Sequence, residues 1–231
     1  MNGIDLYTGP DFERSALISI DMQNDFTLPE SSARIEGTGE IVDNLAGLMR
    51  LYRTRNLPII HVVRLYLPDG SNVDLCRRKS IEDGRRIVLP GSDGAEIVDE
   101  LTPEEYNGLN PAILLSGRFQ QISGQEYVMY KPRWGAFYRT HLEGFLNVLQ
   151  VNTLVFAGCN FPNCPRATVY QASERDFRLV LVRDAVSRLS RKDERELKAI
   201  AVTMVTTSGL HSIINRRQGP ENKIKNTDSH L

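Results

Sequence analysis

Cysteine is scarce in this 231-residue chain, which has only Cys76, Cys159 and Cys164. An odd and sparse set argues against a disulfide framework and suits a reducing compartment. An excess of one charge is missing too. There are 28 Lys and Arg against 29 Asp and Glu, a net charge of −1, so nothing electrostatic points to nucleic acid or an anionic membrane as partner. No apolar run approaches the length of a membrane span, and the opening M-N-G-I-D-L-Y-T lacks the basic and apolar pattern of a secretion signal. The expectation is a cytoplasmic protein. Internal repeats are absent as well. What remains has the length of one large domain with a sizeable core.

The most informative stretch is 153–168, T-L-V-F-A-G-C-N-F-P-N-C-P-R-A-T. An apolar strand ends at Gly158, a turn carries Asn160, Pro162 and Asn163, and a helix is expected from Pro165 with Asn163 as its cap. This puts the Cys164 thiol at a helix N-terminus, at the carboxyl end of a buried strand. Partial positive charge there favours thiolate over thiol, so the expectation is a depressed pKa and rapid alkylation. The same N–H groups could hold an oxyanion. Taken alone, Cys164 reads equally well as a nucleophile or as a small buried hydrophobe.

Two other strand ends change that balance. Residues 16–20, A-L-I-S-I, end at Asp21, and 126–130, E-Y-V-M-Y, end at Lys131, with Pro132 blocking helical continuation. Open α/β sheets place ligands beyond the carboxyl ends of their strands. An acid, a lysine and a thiol at three such ends form a candidate catalytic set.

With these residues in view, the chain resembles the isochorismatase-like cysteine hydrolases. The resemblance is carried by A-L-I-S-I-D-M-Q-N-D-F at 16–26, Y-K-P-R-W-G-A-F-Y-R-T-H-L-E-G-F-L at 130–146, A-G-C-N-F-P-N-C-P-R-A-T at 157–168 and L-V-L-V-R-D-A-V-S at 179–187. It implies that Asp21, Lys131 and Cys164 are the catalytic triad. It also implies an oxyanion hole from the backbone N–H groups of Asn160 and Cys164, with a cis peptide between Cys159 and Asn160. The chain departs from the usual pattern at Asn160, Phe161 and Pro165, which places it on an unusual N-C-P-R branch. Metal-binding members carry an acid and several histidines after the second strand. Here no histidine stands between His61 and His141, so no metal is expected.

The alternation of strands and helices predicts a doubly wound, mostly parallel six-stranded sheet with helices on both faces, the Rossmann-like three-layer arrangement that the resemblance also implies. Helices are expected at 38–55, 136–149 and 193–207, and strands at 58–64, 112–115, 178–183 and 210–214. Residues 1–215 read as one domain, 65–124 as an elaborated insertion that could lid the site, and 216–231 as a disordered polar tail.

The expected function is cysteine-dependent hydrolysis of a C–N bond in a small amide, carbamoyl or imide-type substrate through a thioester, without a cofactor. The alternatives are a vinyl-ether hydrolase, against which Cys164 speaks, and a non-catalytic or redox-sensing protein using Cys159 and Cys164. Phe26, Trp134, Phe137 and Phe161 are candidate pocket walls, and Arg64 and Arg133 candidate carboxylate ligands, with Arg77 and Arg78 nearby. Core packing and solvated charge are the competing readings. A homodimer or higher homo-oligomer is expected, with Trp134 and the 137–138 aromatics in the contact.

Overall fold

Four runs of β-branched and apolar residues carry the core of the molecule, and each alternates between two faces. In β1 (Ser15–Ile20) Leu17 points to one face of the sheet while Ala16, Ile18 and Ile20 point to the other. β5 (Thr153–Gly158) and β6 (Arg178–Val186) repeat the pattern, with Val155, Ala157, Val180 and Val182 on the first face and Leu154, Phe156, Leu179 and Leu181 on the second. β2 (Ile59–Val63) is buried throughout. Strands apolar on both faces must be covered on both. The first face is packed by α2 (Val42–Thr54) and α8 (Thr207–Arg216), the second by α5 (Leu142–Val148), α6 (Cys164–Ser173) and α7 (Arg191–Ala199).

The computed structural model describes residues 5–31 and 33–216. Its sheet has seven strands, adding β3 (Gln120–Ser123), β4 (Glu126–Tyr130) and β7 (Thr203–Val205), in the order β3-β4-β2-β1-β5-β6-β7. Every neighbouring pair is parallel except β3 with β4. The chain builds leftward from β1 through β2 to β4, then crosses to β5 on the other side of β1. That reversal makes the β1–β5 boundary the topological switch point, where open α/β sheets bind ligands.

The expected α/β class is therefore observed, with one strand more than the six expected and local corrections. Residues 112–115 lie in a helix, α4 (Pro111–Leu115), because Asn110 caps it by accepting from the Ile113 N–H at 3.1 Å and Pro111 suits its first turn. Residues 210–214 belong to α8, whose buried Leu210 and Ile214 sit one helical turn apart. The helix expected at 193–207 stops at Ala199 and gives way to β7. The 65–124 stretch is ordered, with α3 (Leu75–Glu82), α4, β3 and fully buried Val88, Ala95 and Leu101. The tail expected to be disordered lies, beyond Arg216, outside the described residues.

The motif M-Q-N-D-F after β1 forms a short helix, α1 (Asn24–Thr27), and fastens this stretch. Gln23 Nε2 donates to the carbonyls of Arg64 (2.8 Å) and Ala95 (2.6 Å), and its Oε1 accepts from the Arg64 N–H at 2.8 Å. Asn24 donates to the Asp93 carbonyl, and Asp25 accepts from the Val88 N–H. These side chains hold 88–95 across the carboxyl ends of the strands.

Candidate active site

Four adjacent strands end in chemistry. Reading β4, β2, β1 and β5 across the sheet, the residues just past each end are Lys131, Arg64 and Asp21, with Cys164 following β5 after a short turn. Gly158 makes that last approach possible. Its φ is +117°, and a Cβ there would strike the Ile20 backbone. Asp21 is itself at φ +54°, the left-handed region that L-residues rarely occupy, with its N–H on the Val62 carbonyl. Sheet pairing thus fixes the acid's backbone and aims its side chain out of the strand line.

Lys131 Nζ lies 2.9 Å from both carboxylate oxygens of Asp21 and is hydrogen-bonded to Oδ2. Lys131 is 0% exposed, Cys164 3% and Asp21 4%, so the three expected catalytic residues are brought together out of water. The Cys164 thiol lies against the same carboxylate. The linker after β4 is pinned to the cysteine's helix: the Ala136 N–H donates to Thr168 Oγ1 at 3.1 Å and the Phe137 N–H to Gln171 Oε1 at 3.1 Å.

The expected low pKa of Cys164 is not found. Burial and the Asp21 charge push the thiol up to about 11, against the downward pull of Lys131 and Arg64. The resting group is a protonated thiol in contact with a carboxylate. The helix begins at Cys164 itself, with Pro165 in its first turn, and Asn163 makes no side-chain cap. No cis peptide occurs among the described residues, so the bond before Asn160 is trans, which for a non-proline residue lies about 2.5–4 kcal/mol below cis. In this turn the N–H groups of Cys159, Phe161 and Asn163 are taken by Ile20, Ser187 and Asn160 carbonyls. Those of Asn160 and Cys164 donate to no acceptor among the described residues.

The aromatic candidates separate. Phe26 lines a cleft of about 380 Å³ with Tyr66, Cys76, Arg77 and Ile87, the size of a small-molecule site. Phe137 and Phe161 line neither this cleft nor the groove described next. They are core residues, Phe137 against Phe177 and beneath Arg175, and Phe161 beneath Arg166, because large rings at these helix contacts bury most area by packing inward. Trp134 is 39% exposed and borders a shallow groove with Asp74, Leu75, Cys76, Arg133 and Tyr138. Arg133 Nη1 donates to the carbonyls of Asn72 and Pro132, a structural use of that cation. Arg64 is buried near Asp21 and Cys164. Tyr66, Asp74 and the clamp residue Gln23 surround it, and sequence reading missed all three. Their only signal was the order of polar residues around Arg64, which says nothing until 65–97 is folded.

Cys159 is buried, and burial pushes its thiol up to about 12, consistent with an inert core group. His61 bonds locally to Glu126 at 2.7 Å. Among the described residues no group of three His, Cys, Asp or Glu is arranged to hold a metal, and no helix is long and apolar enough to cross a membrane.

The chain is similar to known proteins over most of its length. The family model described as the isochorismatase domain matches residues 15–109 and 114–209. A protein of Arabidopsis thaliana named "Probable inactive nicotinamidase" is 34% identical over 172 residues, 74% of this chain and 79% of that protein. The maleamate amidohydrolase of Pseudomonas putida is 25% identical over 174 residues, 75% of this chain and 72% of its own length. Among solved structures, an isochorismatase family protein from Desulfovibrio vulgaris superposes with a TM-score of 0.74 at 31% identity, covering 88% of this chain and 99% of that one.

Proposed function

The chain belongs to the isochorismatase family, and on that premise we propose that it hydrolyses a C–N bond in a small amide, carbamoyl or imide-type substrate, with Cys164 as nucleophile. The observation that carries this reading is the buried contact of Cys164, Asp21 and Lys131 at the switch point of the sheet. The amidohydrolase name of the Pseudomonas relative supports the substrate class.

A thiol whose pKa lies near 11 supplies little free thiolate at neutral pH, so its proton must leave as the sulfur attacks. Asp21, in contact with it, accepts that proton. The S–C bond forms, and the carbonyl electrons move onto oxygen, where the N–H groups of Asn160 and Cys164 are the proposed donors. The C–N bond then breaks, and Asp21 returns the proton to the departing amine or ammonia. Water attacks the thioester with Asp21 again as base, the C–S bond breaks, and Asp21 restores the thiol. Lys131 offsets the negative charge on the carboxylate throughout. Positioned base catalysis of this kind contributes ~10²–10⁴-fold.

A second reading, a family member that keeps the fold without turnover, is favoured by the name of the Arabidopsis relative. One experiment separates the two. A library of primary amides, ureas and imides is screened for ammonia release, and active compounds are retested with Cys164→Ala. Turnover that vanishes in the folded variant supports the proposal. No release from any compound, or undiminished release by Cys164→Ala, overturns it.

A further inference from the structure

One buried residue beside the cleft holds a backbone conformation that its side chain opposes. Val88 is 0% exposed and sits at φ +43°. A β-branched side chain in the left-handed region crowds its own backbone, so the conformation persists only where the surroundings over-determine it. Two bonds do so here. The Val88 N–H donates to Asp25 Oδ2 at 2.5 Å, and the Val88 carbonyl accepts from the Tyr66 N–H at 3.1 Å. The other carboxylate oxygen of Asp25 accepts from Ser31 Oγ at 3.3 Å. Gly94 leaves room for this carboxylate, because a Cβ there would lie 2.4 Å from it.

Val88 is the backbone hub of the cleft walls. Ile87 precedes it and lines the cleft, Tyr66 is bonded to its carbonyl, and Phe26 follows Asp25 on α1. Phe26, Tyr66 and Ile87 are 6%, 2% and 9% exposed, whereas Arg34 and Arg85 of the same lining are exposed and Arg77 is half-buried. The least exposed part of the lining is therefore apolar. Arg77 interacts with the Cys164 charge, which sets the cleft next to the candidate triad. Ile87 also borders a second hollow of about 60 Å³ with Ile81 and Leu89, so this wall has space to fall back into once released.

We propose that Asp25 is a positioning residue: by holding Val88 in its strained conformation, it fixes Ile87 in the wall shared with Phe26 and Tyr66 and so sets the width of a pocket for an apolar chain on the substrate. This deepens the hydrolase reading above and rests on it for the scissile bond. Asp25 touches no reacting atom. Without its bond, Val88 relaxes towards negative φ and carries Ile87 out of the wall. The loss then falls on binding and on chain-length selectivity, and the chemistry at Cys164 is spared.

The test reads the wall and the pocket apart from turnover. By hydrogen exchange and mass spectrometry, residues 84–92 should exchange at least about tenfold faster in Asp25→Ala, with β1 and β5 unchanged. Asp25→Asn keeps an acceptor and should retain most of the protection. Gly94→Ala, whose Cβ displaces the end of a flexible side chain, should fold even if Asp25→Ala does not, and should reproduce its effect. Glycine adopts positive φ readily, so the Asp25→Ala defect should shrink in a Val88→Gly background. Calorimetry of Cys164→Ala protein with acetamide, butyramide and hexanamide should show affinity rising at least about tenfold along the series, and adding Asp25→Ala should flatten that rise. Unchanged exchange in both Asp25→Ala and Gly94→Ala, a defect undiminished by Val88→Gly, or a series that is flat from the start or survives Asp25→Ala overturns the inference. If the series and its loss are found but the intact enzyme releases ammonia from none of the library, the hydrolase reading fails and the positioning role stands. If ammonia is released and Asp25→Ala leaves the KM for hexanamide unchanged, the hydrolase reading stands and the positioning role fails.

Discussion

His61 and Arg64 both come from β2 and its end, yet they belong to two buried ion clusters built in opposite ways. Around His61, Glu126 has both oxygens taken. Arg53 donates from Nε and Nη2 at 2.8 Å each, and His61 Nε2 lies at 2.7 Å. Burial alone would raise the Glu126 pKa, but these bonds and charges hold it down at about 2. Around Arg64 the opposite holds. Arg64 Nε and Nη1 lack acceptors among the described residues, Asp21 sits in a strained backbone conformation, and a thiol is pushed up to about 11. A cluster whose acid is fully bonded serves the fold, even with His61 Nδ1 left without a partner among the described residues, whereas one whose cation keeps unused donors has groups that an incoming molecule can complete.

The comparison can be broken by substitution, and the largest effect belongs at the open cluster. Lys131→Ala leaves the Asp21 charge buried without its partner, which should cost ~3–5 kcal/mol of stability and remove turnover together. Urea unfolding and ammonia release measure the two losses. A variant that stays fully stable and active would remove Lys131 from the site.

At the closed cluster the loss should fall on stability alone. Glu126→Gln should cost about 3 kcal/mol at pH 7, the worth of a carboxylate pKa drawn from 4.5 to about 2, with turnover kept. Because the folded pKa is depressed, this stabilisation is present above about pH 4.5 and is lost as pH falls towards 2. Unfolding curves of the parent and the variant should therefore converge in acid. Lost turnover at unchanged stability would show that the two clusters are not separable in this way.

A smaller effect sharpens the electrostatic contrast. With iodoacetamide near pH 8, the exposed Cys76 should be alkylated before the buried Cys159 and Cys164, as read by mass spectrometry. Cys164 labelling should rise only as pH approaches about 11. Preferential labelling of Cys164 at pH 7 would mean a resting thiolate. The smallest expected effect is none at all: dialysis against EDTA should leave turnover unchanged, because no described His, Cys, Asp or Glu cluster is arranged to bind a metal. Loss on chelation with recovery on added zinc would refute this.

Much of this was legible in the chain. Buried parallel strands are nearly continuous apolar runs, so A-L-I-S-I, E-Y-V-M-Y and T-L-V-F-A-G declare both themselves and their ends. Each end carries a residue that does not belong in a strand interior. That made Asp21, Lys131 and the turn to Cys164 readable before their contact was known. Short apolar runs were harder. A-I-L-L at 112–115 has no period long enough to separate strand from helix, and only the capping pair Asn110–Pro111 marked it as helical.

What tertiary structure alone decided is the electrostatic state of the site and the ring of groups around it. A helix N-terminus favours a thiolate, but its pull is modest and local, and it loses to the desolvation of a thiol 3% exposed beside a carboxylate. Desolvation depends on everything packed around an atom, and no local pattern records that. For the same reason Phe161, three residues before Cys164, is core, while Tyr66, Arg77 and Asp74 reach the candidate site from a stretch with no sustained period. The sequence by itself determined the central strands β1, β2, β4, β5 and β6 and the residues that end β1, β2 and β4. The order of those strands, and the path of 65–97 over their ends, decided which charges meet, because charges pair by distance in space and the chain brings distant segments within reach only once the sheet has formed.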